Sequence, residues 1–246
     1  MPTLLFKDVG LVKGVGFDGW RRVGGVMQSI KVYNMREVDE LVFVDITATQ
    51  EGRRPDFETV DEIADECFMP LTVGGGIATV EDVRRLLQVG ADKVAINTAA
   101  VFAPELVNEV ARTFGSQCAV ISIDARRHED GRFEVFTNSG TRATGLDPAE
   151  HAREVERLGA GEILLTSIDR DGTMDGYDIE LVRRVVDAVS IPVIASGGAG
   201  SYADMATALL EGRASAVAAA SIFHFTQQTP LEAKHYLHDR GIPVRL

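Results

Sequence analysis

Asp124 closes the apolar run Ala119-Val120-Ile121-Ser122-Ile123, which places a carboxylate where a buried strand would meet a pocket. A carboxyl so placed suits general acid or base work, and it equally suits capping a helix or bonding a loop. Asp45, Asn97, Thr98, Thr166, Ser167 and Ser196 stand in the same kind of place, at the ends of apolar runs. Two of these ends are rich in glycine, Pro70-Leu71-Thr72-Val73-Gly74-Gly75-Gly76 and Pro192-Val193-Ile194-Ala195-Ser196-Gly197-Gly198. A glycine turn between a strand and a helix N-terminus lets backbone N–H groups approach an anion, with the helix dipole behind them. Thr79 with Asp82, and Ser201 with Asp204, have N-cap and N3 spacing behind the two turns, and Gly90 and Gly212 are expected to close the two helices. Every member of the second set lies 122 residues after its counterpart (75 to 197, 79 to 201, 82 to 204, 90 to 212), half of a 246-residue chain. A duplicated half-domain with two phosphate sites is the expectation.

In Asp169-Arg170-Asp171-Gly172-Thr173 two carboxylates and a hydroxyl lie close together. A calcium loop needs more ligands and a terminal Glu, so contact with sugar hydroxyls is expected there and no metal. The five histidines form no catalytic pattern, and His224, in Phe223-His224-Phe225, is expected to be a packing residue. Trp20, the single tryptophan, either stacks on a ligand ring or anchors its loop. No nucleophile elbow is present.

The elements that must position these groups alternate from end to end as βα units. Strands are predicted over Thr3–Lys7, Leu41–Asp45, Leu71–Gly74, Lys93–Asn97, Ala119–Asp124, Ile163–Thr166, Val193–Ser196 and Ala216–Ala219. Helices are predicted over Phe57–Glu66, Val80–Gln88, Glu105–Thr113, Pro148–Leu158 and Ile179–Val189, among others. Eight repeats without a linker predict one α/β domain over residues 1–246, a (β/α)8 TIM barrel of two duplicated half-barrels, ahead of an open doubly wound sheet. Two connections are long for βα turns. Val15 to Val26 is glycine-rich and basic, and Arg126 to Thr144 holds a predicted turn and an extra strand over Phe133–Thr137.

Composition narrows the function classes. A net charge of −12 argues against nucleic acid or an anionic membrane as partner, and no apolar stretch approaches the ~20 residues of a span. Cys67 and Cys118 lack metal-ligand spacing, and with no secretory signal at Met1-Pro2-Thr3 a cytoplasmic location is expected.

Over nearly its whole length the sequence resembles the cyclase subunit of imidazole glycerol phosphate synthase. The likeness is carried by Asp39-Glu40-Leu41-Val42-Phe43-Val44-Asp45-Ile46-Thr47, Val73-Gly74-Gly75-Gly76-Ile77, Ala91 to Ala100, Gly161 to Thr173 and Ala195 to Gly200. The resemblance implies a (β/α)8 barrel that takes ammonia from a glutaminase partner and binds a substrate with a phosphate at each end, without a cofactor. It implies that Gly76, Asn97 and Thr98 hold one phosphate, and Gly172, Gly198 and the Ala220-Ser221 turn the other. Lys13 resembles the loop lysine that contacts substrate, and Asp45, Thr166 and Asp171 are further candidates for substrate contact. Glu40, Lys93 and Glu162 match three members of a charged ring gating ammonia, whose arginine would precede Met1. Asp92 resembles the residue facing the glutaminase.

One departure touches the chemistry. The family's acid–base pair is two aspartates ending strands one and five; Asp124 matches the second, but the first falls on Leu5. Leucine moves no proton, and Asp8 corresponds to a non-catalytic loop carboxylate. A paralogous group linked to bacterial surface-polysaccharide clusters is similar in having this leucine, and Leu11-Val12-Lys13, Glu37 to Leu41 and Glu66 to Leu71 resemble that group more. Its members are thought to supply ammonia for sugar amidation. Three functions are therefore expected candidates: an ammonia-transferring paralogue for sugar or specialised-metabolite amidation, a histidine-biosynthesis cyclase, and a non-catalytic activator of a glutaminase.

Overall fold

Short runs of aliphatic and β-branched residues form the strands, and capped amphipathic segments form the helices between them. The computed structural model describes residues 1–8 and 10–246. Its strands are β1 (Thr3–Lys7), β2 (Gly10–Val15), β3 (Asp18–Gly24), β4 (Leu41–Asp45), β5 (Leu71–Gly74), β6 (Lys93–Ile96), β7 (Ala119–Arg127), β8 (Phe133–Thr137), β9 (Arg142–Ala143), β10 (Glu162–Ser167), β11 (Val193–Ser196) and β12 (Ala216–Val217). Its helices are α1 (Val26–Met35), α2 (Phe57–Glu66), α3 (Val80–Gln88), α4 (Thr98–Phe102), α5 (Glu105–Phe114), α6 (Pro148–Leu158), α7 (Ile179–Val186), α8 (Tyr202–Leu210), α9 (Ser221–Phe225) and α10 (Pro230–His238).

Strands β1, β4, β5, β6, β7, β10, β11 and β12 run parallel, each bonded to the next in that order. The sheet curls until its ends meet. Pro2 bridges Ala219 just beyond β12, and the Thr3 amide donates to the Ala219 carbonyl at 2.9 Å. This α/β fold is compatible with a TIM barrel.

Both faces of the parallel strands are covered, which explains their continuous apolar runs. In β4, Leu41 and Phe43 belong to the large core shared with the helices, whereas Val42 joins Val120, Leu164, Ile194 and Ala218 in a small inner cluster. Each fully buried aliphatic side chain contributes roughly 1.5–3 kcal/mol. Capping adds about 1 kcal/mol per helix. Asp56 and Asp178 cap α2 and α7, and Thr79 with Asp82 and Ser201 with Asp204 form complete capping boxes on α3 and α8.

The 122-residue offset recurs in the elements: β5 and β11 (71 to 193), α2 and α7 (57 to 179), and α3 and α8 (80 to 202) all start at that spacing. Their closures differ. Gly90 behind α3 is left-handed at φ 105° as expected, but behind α8 the left-handed residue is Arg213 (φ 57°). A Cβ on Gly212 would lie 2.4 Å from the Ala208 carbonyl oxygen, so close packing rather than handedness asks for glycine there.

The stretch Val15 to Val26 is more ordered than its composition predicts. Its middle is β3, which pairs antiparallel with β2 to extend β1 into a hairpin, and α1 begins at Val26. The β3 residues are mostly exposed, so no apolar alternation announces the strand. The second long connection does contain the extra strand: β7 runs on to Arg127 and pairs with β8, and β9 returns beside it. Two strands are shorter than predicted, β6 ending at Ile96 and β12 at Val217, where the chain turns into α4 and α9.

Candidate functional site

The carboxyl ends of the parallel strands surround a cavity of about 1160 Å³, its open mouth included. Leu5, Lys13, Asp45, Gly76, Asn97, Thr98, Asp124, Thr166, Asp171, Gly172, Gly198 and Ser221 all line it. Residues scattered over more than 200 positions thus converge: most end a strand or lie in the turn behind one, while Leu5 lies within β1 and Lys13 within β2.

Asp124 is inside the protein, with 8% of its surface exposed. Burial, with the Asp171 carboxylate second, pushes its carboxyl up to about 7, while the Ser122 and Thr166 hydroxyls pull the other way. Thr166 is its register partner on β10. Asn97 Nδ2 donates to Asp124 Oδ2 at 3.1 Å and to the Ser122 carbonyl at 3.0 Å. A carboxyl with these properties can both give and take a proton near neutral pH.

Lys13 and Asp171 form a buried ion pair. The ammonium lies 2.6 Å from each carboxylate oxygen, and only 2% of Lys13 is exposed. Burial raises the Asp171 carboxyl, and Lys13 opposes that rise. The pair fastens the β2–β3 hairpin across the mouth, as does the Gly16 amide, which donates to the Asp171 carbonyl at 2.8 Å. Gly172 makes the contact sterically allowed, since a Cβ there would lie 2.1 Å from the Gly14 carbonyl oxygen. Phe17 at the hairpin tip comes so close to Gly140, on the β8–β9 hairpin, that a Cβ on Gly140 would lie 2.8 Å from its ring.

The twin glycine turns have matching geometry. Gly75 and Gly76 are left-handed at φ 104° and 73°, and Gly197 and Gly198 at 87° and 109°. A Cβ on Gly75 would lie 2.2 Å from the Asp45 carbonyl oxygen, and one on Gly197 2.6 Å from that of Ser167. Asp45 and Ser167 are themselves 122 residues apart (45 to 167). Gly76 donates its amide to Thr49 Oγ1 at 3.2 Å. Thr98 opens α4, bonded to Asn97 and Asn138, while Ser221 opens α9 with a buried hydroxyl that has no hydrogen-bond partner.

Asp45 lines the cavity but is committed to its own turn. Its Oδ1 accepts from the Thr47 amide, the Thr47 hydroxyl and the Ala48 amide, each at 3.0 Å, and Arg53 contacts Oδ2 at 3.2 Å. Leu5 presents an alkyl chain to the same cavity, on β1 next to Val44 of β4. Asp8 is exposed outside it. His224 is pushed down by burial first and by Lys13 second, against a backbone hydrogen bond at Thr3. Trp20 lines the cavity together with Phe17.

At the opposite, amino end of the strands Lys93 Nζ lies 3.0 Å from Glu40 and 2.7 Å from Glu162. Burial alone would lower this ammonium, but the Glu162 and Glu40 carboxylates outweigh it and the net direction is upward. Asp92 sits beside the cluster, where its carboxylate accepts the Leu71 amide at 2.8 Å.

Sequence reasoning left Thr3, Ser122 and Ser139 out of the site, although all line the cavity. Ser122 was findable, because it shares the inward face of β7 with Asp124 two residues on. Ser139 sits on a hairpin tip and carried no such signal. Among the described residues no group of three or more His, Cys, Asp or Glu could hold a metal ion, and no helix is long and apolar enough to cross a membrane.

The carboxyl ends of a curled parallel sheet, where this cavity lies, are where TIM-barrel proteins place their sites. The sequence matches the family described as Histidine biosynthesis protein over residues 2–229, and the chain belongs to that family. Membership is consistent with the cyclase-subunit resemblance and describes a histidine-biosynthesis-type, cyclase-like protein.

Proposed function

We propose that this chain is a cyclase-subunit-like (β/α)8 barrel, built from two duplicated halves, that accepts ammonia from a class I glutaminase and delivers it to a phosphorylated small molecule. Within the family we assign it to the paralogues that serve sugar or specialised-metabolite amidation. The observation that carries this reading is the contrast between the two ends of the sheet. At the amino end three members of the charged ring, Glu40, Lys93 and Glu162, are joined by ion pairs. At the carboxyl end the glycine turns persist, yet the position on β1 that faces the cavity of Asp124 is Leu5 and not an aspartate. Loss of one acid–base group typically forfeits ~10²–10⁴ in rate, so ammonia handling outlasts cyclisation. In this reading Gly76, Asn97 and Thr98 hold one phosphate, and Gly172, Gly198 and Ser221 the other. Asp124 moves the proton, Lys13, Thr166 and Asp171 contact the ligand, Asp45 holds the turn beside it, and Asp92 faces the partner.

The test is to incubate the purified chain with ammonium salt and the imidazole glycerol phosphate synthase substrate. No turnover, together with hydrolysis of glutamine by a glutaminase that rises when this chain is added, supports the proposal. Turnover equal to that of an aspartate-containing homologue overturns the paralogue assignment in favour of a histidine-pathway cyclase. That second reading draws support from Asp124, whose carboxyl at about 7 is poised for acid–base work.

A further inference from the structure

The connection from α2 to β5 carries a feature that the fold does not require. Among the described residues Phe68 and Met35 are the two most exposed large apolar side chains, at 85% and 77%. Phe68 lies between the half-buried Cys67 and the buried Met69, and the backbone on either side of it is pinned. The Asn34 side chain donates from Nδ2 to the Glu66 carbonyl at 2.6 Å and accepts the Phe68 amide on Oδ1 at 3.1 Å. Two residues on, the Pro70 carbonyl accepts the Leu41 amide at 2.9 Å, and the Leu71 amide donates to the Asp92 carboxylate at 2.8 Å. Phe68 is thus fixed at the amino end of the sheet, between the segment that carries Glu40 and the segment that carries Asp92 and Lys93. Met35 belongs to the same place, since it follows Asn34 at the end of α1.

A phenylalanine left in water adds no burial energy to the fold. One exposed apolar residue means little, but here the two most exposed ones meet at a single clamp. An aromatic side chain on a pinned loop loses little further freedom on association, which is what an interface anchor needs. We propose that Phe68, supported by Met35, is the anchor on which the glutaminase docks, received by an apolar pocket with a basic rim. The inference deepens the proposed function and rests on its assignment of a glutaminase to this end of the sheet. Charge selects the occupant. At this end Glu37, Glu40, Glu66, Asp92 and Glu162 outnumber Lys31, Arg36 and Lys93, in a chain of net charge −12. Lys31 lies 3.7 Å from Glu66, and Lys93 is held between Glu40 and Glu162. A second copy of this chain, docked about a two-fold axis, would set the acidic rim against itself. A partner that surrounds its pocket with lysine or arginine meets no such repulsion.

The experiment follows glutamine hydrolysis by a class I glutaminase titrated with the full chain, parent or variant. Phe68→Ser is expected to raise the concentration for half-maximal stimulation about 30-fold or more and to leave the maximum unchanged. Met35→Ser is expected to raise it about fivefold. Both side chains are exposed, so both variants should keep the circular dichroism of the parent. Phe225→Ser, half-exposed at the opposite, carboxyl end, should stimulate as the parent does. A value for Phe68→Ser within about twofold of the parent's overturns the inference. So does sedimentation that shows the parent as a dimer which Phe68→Ser dissociates, because the face would then be covered by a second copy. Stimulation by the parent with no shift in Phe68→Ser fails this inference alone. A parent that stimulates no glutaminase fails the proposed function and takes this inference with it.

Discussion

Asn97 divides one amide group between two acceptors, the Asp124 carboxylate at 3.1 Å and the Ser122 carbonyl at 3.0 Å, while its own carbonyl oxygen accepts from the Thr98 hydroxyl at 3.2 Å. The residue thus joins a proposed phosphate contact to the proposed acid–base group. A hydrogen bond to a charged acceptor is worth about 1.5–3 kcal/mol. Asn97→Ala is expected to move the Asp124 midpoint upward by about one pH unit and to weaken binding of a sugar bisphosphate, as read by NMR titration and calorimetry.

Stability should depend on pH through the same carboxyl. Asp124 titrates near 7 when folded against an ordinary value of 3.8, so the folded state holds its proton more tightly than the unfolded chain does. The stability this confers is complete below about pH 4 and is lost as pH rises through 7. Asp124→Asn removes the dependence. At pH 8 the variant is expected to be more stable than the parent by about 2–4 kcal/mol and inactive, with the difference vanishing near pH 4. Urea denaturation at the two pH values checks it, and a variant less stable than the parent at both would contradict the burial argument.

The glycine turns give a steric prediction. Gly75→Ala and Gly197→Ala each drive a methyl group into a carbonyl oxygen, 2.2 Å and 2.6 Å away, at a left-handed φ. Both are expected to lower stability by about 2 kcal/mol or more. Gly52→Ala, left-handed but facing open space, should cost only about 1 kcal/mol. Denaturation midpoints of the three variants provide the comparison.

Lys93→Met leaves Glu40 and Glu162 facing each other without a cation. The cluster is partly solvated, so the expected loss of stability is modest, about 1–2 kcal/mol. If the cluster gates ammonia, activity driven by glutamine falls in this variant while activity driven by added ammonium salt is retained. An equal fall in both would place Lys93 in the scaffold only.

Much of this site was legible in the chain because it is made by local rules. Helix α3 could be bounded at both ends from Thr79, Asp82 and Gly90, and the run before Asp124 marked its strand. Other features depended on contacts that no local pattern encodes. The strand Asp18–Gly24 hides because its partner Gly10–Val15 supplies the burial and its own side chains stay exposed. Asp45 looks like any strand-end carboxylate until Thr47, Ala48 and Arg53 are seen to occupy it. The bond between Lys13 and Asp171 joins residues 158 positions apart, beyond the reach of spacing arguments. Leu5 carried meaning only by comparison with related sequences, since an aliphatic residue inside a strand is otherwise unremarkable.

The inner cluster of Val42, Val120, Leu164, Ile194 and Ala218 lies along the strands that join the two ends. Strand β6 starts at Lys93 and its next residue after Ile96 is Asn97, so four steps of about 3.3 Å separate the charged cluster from the cavity, roughly 13 Å. A hydrated ion attempting that passage would have to abandon its water among aliphatic side chains, at a cost far above that of a small uncharged molecule. If ammonia takes this route, as the proposed function has it, the layer selects on charge as well as on size: the molecule crosses neutral, and any proton it needs is supplied on arrival.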